Sequence, residues 1–443
     1  MGIFRAYDIR GIYGKDLTEE TAFKIGKALG TFLKGKESVA IGYDTRASSP
    51  ALFEKFSSGL VSTGCKVISL GMVPNPVAYF YCWKNKTFGC MITSSHSPKE
   101  WNGFKMIKPD GTSFLEEIKE IERIFDSKNF LEGKGSVLKY GNAIEDYKNF
   151  LFKRIGKLKG KIVVEFFGGA GTLANSLFKD FGLEVIGLHE NPDKDFYGVE
   201  RPEPKGENLK LLIQRVKEEK PLFGVAFDGD ADRSIFVDDK GRELNGSIVS
   251  AIFVKNFLKK KKGKVILTAD CASKLKKIVE KMKGKLIWWR VGHGFIERKC
   301  VEEKAIFAGE QSSHFYFNEF YPFSDGILAT LLMVKVLNES KKKLSYFVDK
   351  IKLNPTEKLY INADDDEKKI KVIEKIKSEF PNALNLMDGI KIDLSGDEWV
   401  LIRASQTMPE INLCVEAKNE KRLKKLVKKY SDFIKEKLRE VHG

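Results

Sequence analysis

Residues 161–188 read KIVVEFFGGAGTLANSLFKDFGLEVIGL. The β-branched run Lys161 to Phe167 stops at two glycines, a helical segment follows from Thr172 to Phe181, and a second apolar run, Leu183 to Leu188, closes the unit. Two short strands joined by a helix predict neighbours in a parallel sheet, because a parallel connection has to travel back along the sheet before the next strand starts. The same order continues on both sides. Upstream, strands at Ser38 to Gly42, Lys66 to Leu70 and Phe88 to Ile92 are separated by helices at Pro50 to Thr63 and Pro74 to Trp83. Downstream, Leu222 to Phe227 is a strand ending in an acidic loop, and Lys264 to Thr268, a helix, and Lys285 to Arg290 repeat the theme.

The unit recurs from about residues 38, 161 and 264, which predicts an α/β fold of three similar domains in series with parallel or mixed sheets. The last stretch differs. Lys358 to Asn362, a helix, Gly389 to Asp393, Trp399 to Ala404, Ile411 to Ala417 and a basic final helix read as a smaller α+β domain. The expected divisions are residues 1–140, 141–243, 244–353 and 354–443, which suits a chain of 443 residues at roughly 100–200 residues per domain.

Composition narrows the function classes. No window approaches the roughly 18 uninterrupted apolar residues of a membrane span. The opening MGIFRAYDIRG carries a charge within five residues and no apolar stretch, so no secretory leader is expected. The six cysteines (65, 82, 90, 271, 300 and 414) form no CxxC pair and no zinc spacing, which predicts buried free thiols in a reducing cytoplasm. The formal charge of +16 would suit a nucleic-acid binder, but the lysines sit in tracts such as Lys259 to Lys262, Lys341 to Lys343 and Lys424 to Lys429, which read as solvated helix faces. High Lys and Glu content also fits a heat-adapted protein, and a basic field would draw in anionic substrates.

The most specific motif is FDGDADR, Phe227 to Arg233. Asp228, Asp230 and Asp232 alternate just after a strand, and extended backbone turns alternate residues to one side. Three converging carboxylates are a hard-oxygen site for Mg²⁺ or Ca²⁺, and without a cation they would repel one another. An EF-hand loop fails on detail: its sixth position would be Arg233 rather than Gly and its twelfth Asp239 rather than Glu.

Three further loops follow strands. ITSSHSPKEWNGFK (Ile92 to Lys105) puts Ser95 beside His96, where a nucleophile can sit, although read alone it is also an ordinary hydroxyl-rich loop. GEQSSHF (Gly309 to Phe315) mixes the donors and acceptors that sugar hydroxyls require, although read alone it is equally an ordinary polar turn. RASQTMP (Arg403 to Pro409) offers an arginine fork with hydroxyls at Ser405 and Thr407, a combination suited to phosphate, or read alone a structural turn. A competing signal is G-x-G-x-x-A at Gly169, Gly171 and Ala174, with Glu190 at the end of the next strand, which is a dinucleotide fingerprint or else a glycine-rich turn. Of five histidines, His96, His293 and His314 fall in polar loops after strands, His189 at a strand end and His442 in the tail.

In this order and spacing, from FRAYDIRG at Phe4 through VGHGF at Val291 to RASQTMP at Arg403, the loops resemble the α-D-phosphohexomutase family, in its phosphomannomutase/phosphoglucomutase branch. The resemblance implies three related α/β domains and a smaller C-terminal one around a central cleft. It implies that Ser95 carries phosphate and shares Mg²⁺ with Asp228, Asp230 and Asp232, and that Arg233 contacts the phosphoserine. Glu310 and Ser312 would hold sugar hydroxyls. Tyr7, Arg403, Ser405, Gln406 and Thr407 would clamp the non-reacting phosphate. Arg10, His96, Lys105, His293 and His314 match positive or proton-carrying groups near the reacting centre. Departures from the family's usual pattern fall at Ser94, Ser97, Gln311, Ser313, Gln406 and Met408.

The expected activity is interconversion of hexose 1- and 6-phosphates through the phosphoserine, with a sugar 1,6-bisphosphate as intermediate and activator. The partner is a small phosphosugar, with neither nucleic acid nor membrane, and the protein is a monomer or homodimer. Glucosamine or pentose phosphates are alternative substrates. A dinucleotide-dependent oxidoreductase, resting on Gly169 to Glu190, is the alternative from another class.

Overall fold

A computed structural model describes residues 2–386, 388–395, 397–405 and 409–441. The chain divides into two compact units, Met1–Asn245 with 293–302 and 312–348, and Gly246–Gly292 with 303–311 and 349–443. Among the described residues the strands build four sheets.

The first unit holds two sheets of the same design. In the six-stranded sheet the order is Ile9–Ile12, Trp101–Ile107, Phe88–Ile92, Ser38–Tyr43, Lys66–Met72, Ser136–Lys139. In the five-stranded sheet it is Glu243–Leu244, Ser234–Asp238, Phe223–Phe227, Gly160–Glu165, Leu183–Leu188. Each has a parallel centre and an antiparallel flank. Phe88–Ile92 runs parallel to Ser38–Tyr43 and antiparallel to Trp101–Ile107. Phe223–Phe227 runs parallel to Gly160–Glu165 and antiparallel to Ser234–Asp238. The 93–100 and 228–233 loops therefore leave the C-terminal ends of equivalent parallel strands, where open α/β sheets present their functional loops. Val39, Ala40, Ile41, Val163 and Val164 are fully buried, as expected of parallel strands covered on both faces.

Two expectations need correction here. Residues beyond Pro98 do not stay a polar loop: Trp101–Ile107 is a strand whose Asn102 and Lys105 are buried and turned to polar partners, which breaks the apolar alternation that would have marked it. The expected helix from Thr172 to Phe181 starts instead as a 3₁₀ turn, Ala170–Ala174, and only Asn175–Asp180 is α-helical.

In the second unit, Lys285–Trp289, Lys264–Thr268 and Phe307–Gly309 run parallel, with the helices Gly246–Lys260 and Lys274–Lys281. The C-terminal sheet is antiparallel, in the order Thr356–Asn362, Glu410–Glu416, Glu398–Ala404, Gly389–Ser395, Leu384–Asn385. The helices Asp366–Glu379 and Glu420–Glu440 bury their apolar stripes against it through Val372, Ile376, Leu423, Val427 and Ile434. Sequence marks where these helices begin: Asp365 and Asn419 accept the backbone N–H groups of Lys368 and Arg422. A smaller cluster of Leu386, Trp399, Leu401 and Cys414 packs around Ala269, and Lys391 Nζ donates to Ala269 O at 2.7 Å between the rings of Trp288 and Trp399, each 4.2 Å away.

All six cysteines are buried and free. Among the described residues no helix is long and apolar enough to cross a membrane.

Candidate active site

The two equivalent loops of the first unit meet. Ser95 is buried and has a left-handed backbone, φ 49°, which is costly for a residue with a Cβ. Its Oγ donates to Asp228 Oδ2 at 2.5 Å and lies 3.2 Å from His96 Nδ1. Its N–H donates to Thr93 Oγ1 at 2.9 Å, and that hydroxyl in turn reaches Asp230 Oδ2 at 3.3 Å. Close approach of the loops depends on Gly229, because a Cβ there would stand 2.5 Å from Ser95 O.

Asp228, Asp230 and Asp232 are buried, and each offers an oxygen within 4.8 Å of the others. Two of them share a cation: Lys105 Nζ donates to Asp230 Oδ2 and Asp232 Oδ2, both at 2.7 Å. Asn75 Nδ2 also donates to Asp232 Oδ2, at 2.9 Å. The remaining oxygens suit a metal. Asp230 Oδ1 is buried with no hydrogen-bond partner, and Asp232 Oδ1 accepts no hydrogen bond and lies 3.3 Å from His314 Nε2. Three hard carboxylates with oxygens left over fit a divalent cation such as Mg²⁺ or Ca²⁺.

Burial and neighbouring charge act differently on Asp228 and Asp232. Burial, then Asp232 and Asp230, push the Asp228 carboxyl well above its ordinary range. For Asp232, burial acts in the same direction but Lys105 and His314 outweigh it, and the group is held well below that range. Lys105 is buried, yet Asp230 and Asp232 keep its ammonium above its usual value. Burial, together with Arg233 and Arg10, pushes His96 well below its ordinary value, so the imidazole is uncharged at neutral pH.

Further groups surround this cluster. Arg233 Nε donates to His314 Nε2 at 3.1 Å and stands 3.6 Å from Asp228 Oδ2. His314 Nδ1 is 3.1 Å from Ser312 Oγ. Arg10, on the strand Ile9–Ile12, donates to Asp8 Oδ2 at 2.6 Å. Tyr7 packs edge-on against His293, with ring centres 4.7 Å apart. His293 Nδ1 is 3.2 Å from Glu297 Oε1, and its Nε2 is buried without a hydrogen-bond partner. Glu297 Oε2 accepts from Ser113 N and Oγ at 2.8 and 2.7 Å, which fixes the carboxylate and with it the ring.

Of the residues expected from sequence, the first unit thus contains Tyr7, Arg10, Ser95, His96, Lys105, Asp228, Asp230, Asp232, Arg233, His293, Ser312 and His314. The second contains Glu310, Arg403 and Ser405. Glu310 is buried just after Phe307–Gly309. Arg403 ends Glu398–Ala404, with Nη1 3.7 Å from Asp388 Oδ2 and Nε buried without a hydrogen-bond partner. Lys369 Nζ donates to Ser405 O at 2.9 Å. Gln406 and Thr407, like Met408 and His442, lie outside the described residues. Sequence reasoning missed Arg46, Asn75, Thr93 and Glu297. Local signals existed for two of them: Thr93 stands two residues before Ser95 in the same loop, and Arg46 ends the Asp44-Thr45-Arg46 run directly after a strand.

The dinucleotide reading fails on geometry. A Cβ at Gly169 would stand 2.7 Å from Gly229 O, and Ala170 N donates to that same carbonyl at 2.9 Å. The glycines thus serve close packing of one turn on the acidic loop, and no long helix N-terminus is left to face a pyrophosphate. Glu190 accepts from Asn175 Nδ2 at 2.6 Å.

A hydroxyl seated on an acidic triad, ringed by lysine, arginine and histidine at the loop ends of repeated mixed sheets, defines an enzyme of phosphoryl transfer. Comparison with known proteins agrees. The chain matches the family descriptions "Phosphoglucomutase/phosphomannomutase, alpha/beta/alpha domain I" over residues 1–132, "domain II" over 139–241 and "domain III" over 245–353. It is 34% identical to a phosphomannomutase of Methanocaldococcus jannaschii, over 98% of this chain and 97% of that protein. It is 33% identical to a phosphomannomutase/phosphoglucomutase of Pseudomonas aeruginosa, over 98% and 95%. A solved phosphoglucomutase/phosphomannomutase family protein of Burkholderia thailandensis superposes with a TM-score of 0.88 at 29% identity, covering 98% of this chain and 97% of that one. The chain belongs to the phosphoglucomutase/phosphomannomutase family of α-D-phosphohexomutases, enzymes of the isomerase class.

Proposed function

We propose that this enzyme interconverts hexose 1-phosphates and hexose 6-phosphates, with mannose and glucose as its sugars, by passing phosphate through Ser95. The observation that carries the proposal is the Ser95 hydroxyl held at 2.5 Å from one member of an acidic triad in which Asp230 Oδ1 and Asp232 Oδ1 accept no hydrogen bond.

In the resting enzyme the phosphoryl group is bonded to Ser95 Oγ. The free hydroxyl of a bound hexose monophosphate attacks that phosphorus, the bond to Ser95 Oγ breaks, and a hexose 1,6-bisphosphate forms as the hydroxyl proton leaves. After the sugar turns end for end, Ser95 Oγ attacks the other phosphate and the isomeric monophosphate departs. The same bisphosphate, added from outside, rephosphorylates any serine that has lost its group and so acts as activator. A divalent cation, Mg²⁺, held by Asp228, Asp230, Asp232 and an oxygen of the Ser95 phosphate would supply positive charge to the transferring group. Arg233, Arg10 and Lys105 add fixed charge to the same place. His293, oriented by Glu297 and with Nε2 unengaged, and His314 are the proposed proton carriers, and neutral His96 lies beside Oγ.

Glu310 and Ser312 are assigned to sugar hydroxyls. Tyr7, Arg403, Ser405, Gln406 and Thr407 are assigned to the phosphate that does not react. The four-domain division at about residues 140, 243 and 353 belongs to the same reading, as does a place in the cytoplasm as monomer or homodimer.

The test is conversion of mannose 1-phosphate and of glucose 1-phosphate in the presence of Mg²⁺ and a trace of glucose 1,6-bisphosphate. Formation of the 6-phosphates is expected, with loss of activity on chelation. Turnover of glucosamine or ribose phosphates alone would keep the mechanism and move the substrate. No turnover of any of the four by phosphorylated, metal-loaded enzyme would contradict the proposal.

A further inference from the structure

We propose that Arg46 is the residue that positions the nucleophile, and that it does so by gripping the backbone of the loop carrying Ser95. The proposal rests on the assignment of Ser95 made above.

Arg46 follows the strand Ser38–Tyr43 and is 1% exposed. A guanidinium has five N–H groups in a planar fork, and here all five are used. Nε donates to Asp44 Oδ2 at 3.1 Å. Nη1 donates to the carbonyls of Pro98 and Trp101 at 2.6 and 3.0 Å. Nη2 donates to those of Ser95 and Ser97 at 2.7 and 2.8 Å. The Phe196 ring, 5.0 Å from the guanidinium carbon, lies over the fork.

Residues 93–100 form neither strand nor helix, and the four hydroxyl side chains among them, Thr93, Ser94, Ser95 and Ser97, are short. Arg46 supplies the missing partner by collecting four carbonyls of the loop and its exit on one rigid plane. One of these carbonyls is that of Ser95 itself, whose φ of 49° persists only if its surroundings over-determine it. Ser95 O is held between the arginine fork and the surface left open by Gly229. The fork is anchored in turn: Asp44 Oδ1 accepts from Ser49 Oγ at 2.6 Å, and Asn102 Nδ2 donates to Ser48 Oγ and Ser49 Oγ at 2.8 and 2.9 Å. This network sets where the serine oxygen stands relative to the triad, and it does so without touching substrate.

The variants Arg46→Met and Arg46→Lys test this. Misplacing a reacting atom by an ångström costs on the order of 10²-fold in rate, so kcat is expected to fall about 100-fold in Arg46→Met while KM for the hexose phosphate stays within about threefold. Amide exchange in residues 94–101 should quicken by about tenfold or more, while the strands Ser38–Tyr43 and Phe88–Ile92 keep their protection. Arg46→Lys, with three donors at one point instead of five in a fork, should fall between. If Arg46→Met does not fold, the Lys variant carries both readouts. A folded variant that keeps kcat within about threefold, or that loosens the strands as much as the loop, would overturn the proposal. If the wild type itself turns over no phosphosugar, the mutase assignment has failed, and the exchange pattern alone decides the role of Arg46.

Discussion

The loops 93–100 and 228–233 stand at equivalent places in two sheets of the same design, and they are held by different principal partners. In the first, one buried arginine ties down the carbonyls of Ser95, Ser97 and Pro98, and two hydroxyls, those of Ser95 and Thr93, reach the acidic triad. In the second, Lys105, Asn75 and His314 reach the carboxylates from other elements and Arg233 does so from the loop's own end, while Ala170 N and Ser324 Oγ donate to the carbonyls of Gly229 and Asp232. Physical need accounts for the contrast. The buried part of the first loop, around Ser95, offers carbonyls and hydroxyls to hold, whereas three buried carboxylates would drive one another apart unless cations lay between them. The repeated sheet fixes where a loop emerges, and the charge of the loop decides how it must be secured.

Four changes probe that comparison, from the largest expected effect to the smallest. Ser95→Ala removes the nucleophile and leaves the loop's carbonyl grip intact, so activity should fall by at least ~10⁴-fold with no loss of melting temperature. Asp230→Asn removes one carboxylate whose Oδ1 is unengaged. Divalent-cation binding, measured by calorimetry, should weaken sharply, and activity should fall about 10³-fold. Lys105→Met takes away the cation shared by Asp230 and Asp232, and about a 10²-fold loss of kcat is expected. Metal binding by this variant is the informative control, because the carboxylates keep the oxygens assigned to the ion.

The smallest effect concerns what lies beneath the acidic loop. Ser324 Oγ donates to Asp232 O at 2.7 Å, and the next residue, Asp325, caps the helix Gly326–Ser340 while accepting from Tyr147 and Tyr321 at 2.7 Å. Burial pushes the Asp325 carboxyl up from 3.8 to about 6, against those hydrogen bonds. The folded protein then binds more protons than the unfolded chain between these values, so the contribution of this group is fully present below about pH 4 and is lost as pH rises through 6. The difference is about 3 kcal/mol at one pKa unit per 1.36 kcal/mol. Denaturant melts at pH 4 to 7 should show that slope in the wild type and a flatter one in Asp325→Asn; equal slopes would remove Asp325 from the acid response.

The parallel centres of the sheets were legible in sequence because runs such as the β-branched Lys161 to Phe167 and the apolar Phe88 to Ile92 are short and bounded by glycine or polar loops. The antiparallel flank was not. Trp101–Ile107 hides Asn102 and Lys105 in its interior, and Ser234–Asp238 starts directly after the acidic loop with no turn residue to announce it. The acidic triad could be read from spacing alone, since its three members share one short loop. Its supports could not, because they come from far along the chain: Thr93 meets Asp230 across 137 residues, Asn75 meets Asp232 across 157, and Ser113 meets Glu297 across 184. Arg46 lies 49 residues from Ser95, and nothing local to either states that they touch.

The central claim is that phosphate passes through Ser95, and mapping the phosphate tests it most directly. Enzyme loaded with Mg²⁺ and dephosphorylated beforehand would be mixed with isotopically labelled hexose 1,6-bisphosphate, and the labelled peptide identified by mass spectrometry before and after a chase with unlabelled hexose 1-phosphate. Label on Ser95 that disappears into hexose phosphate during the chase is the predicted result. Label on another residue, or label on Ser95 that the chase leaves in place while the enzyme turns over, would contradict it.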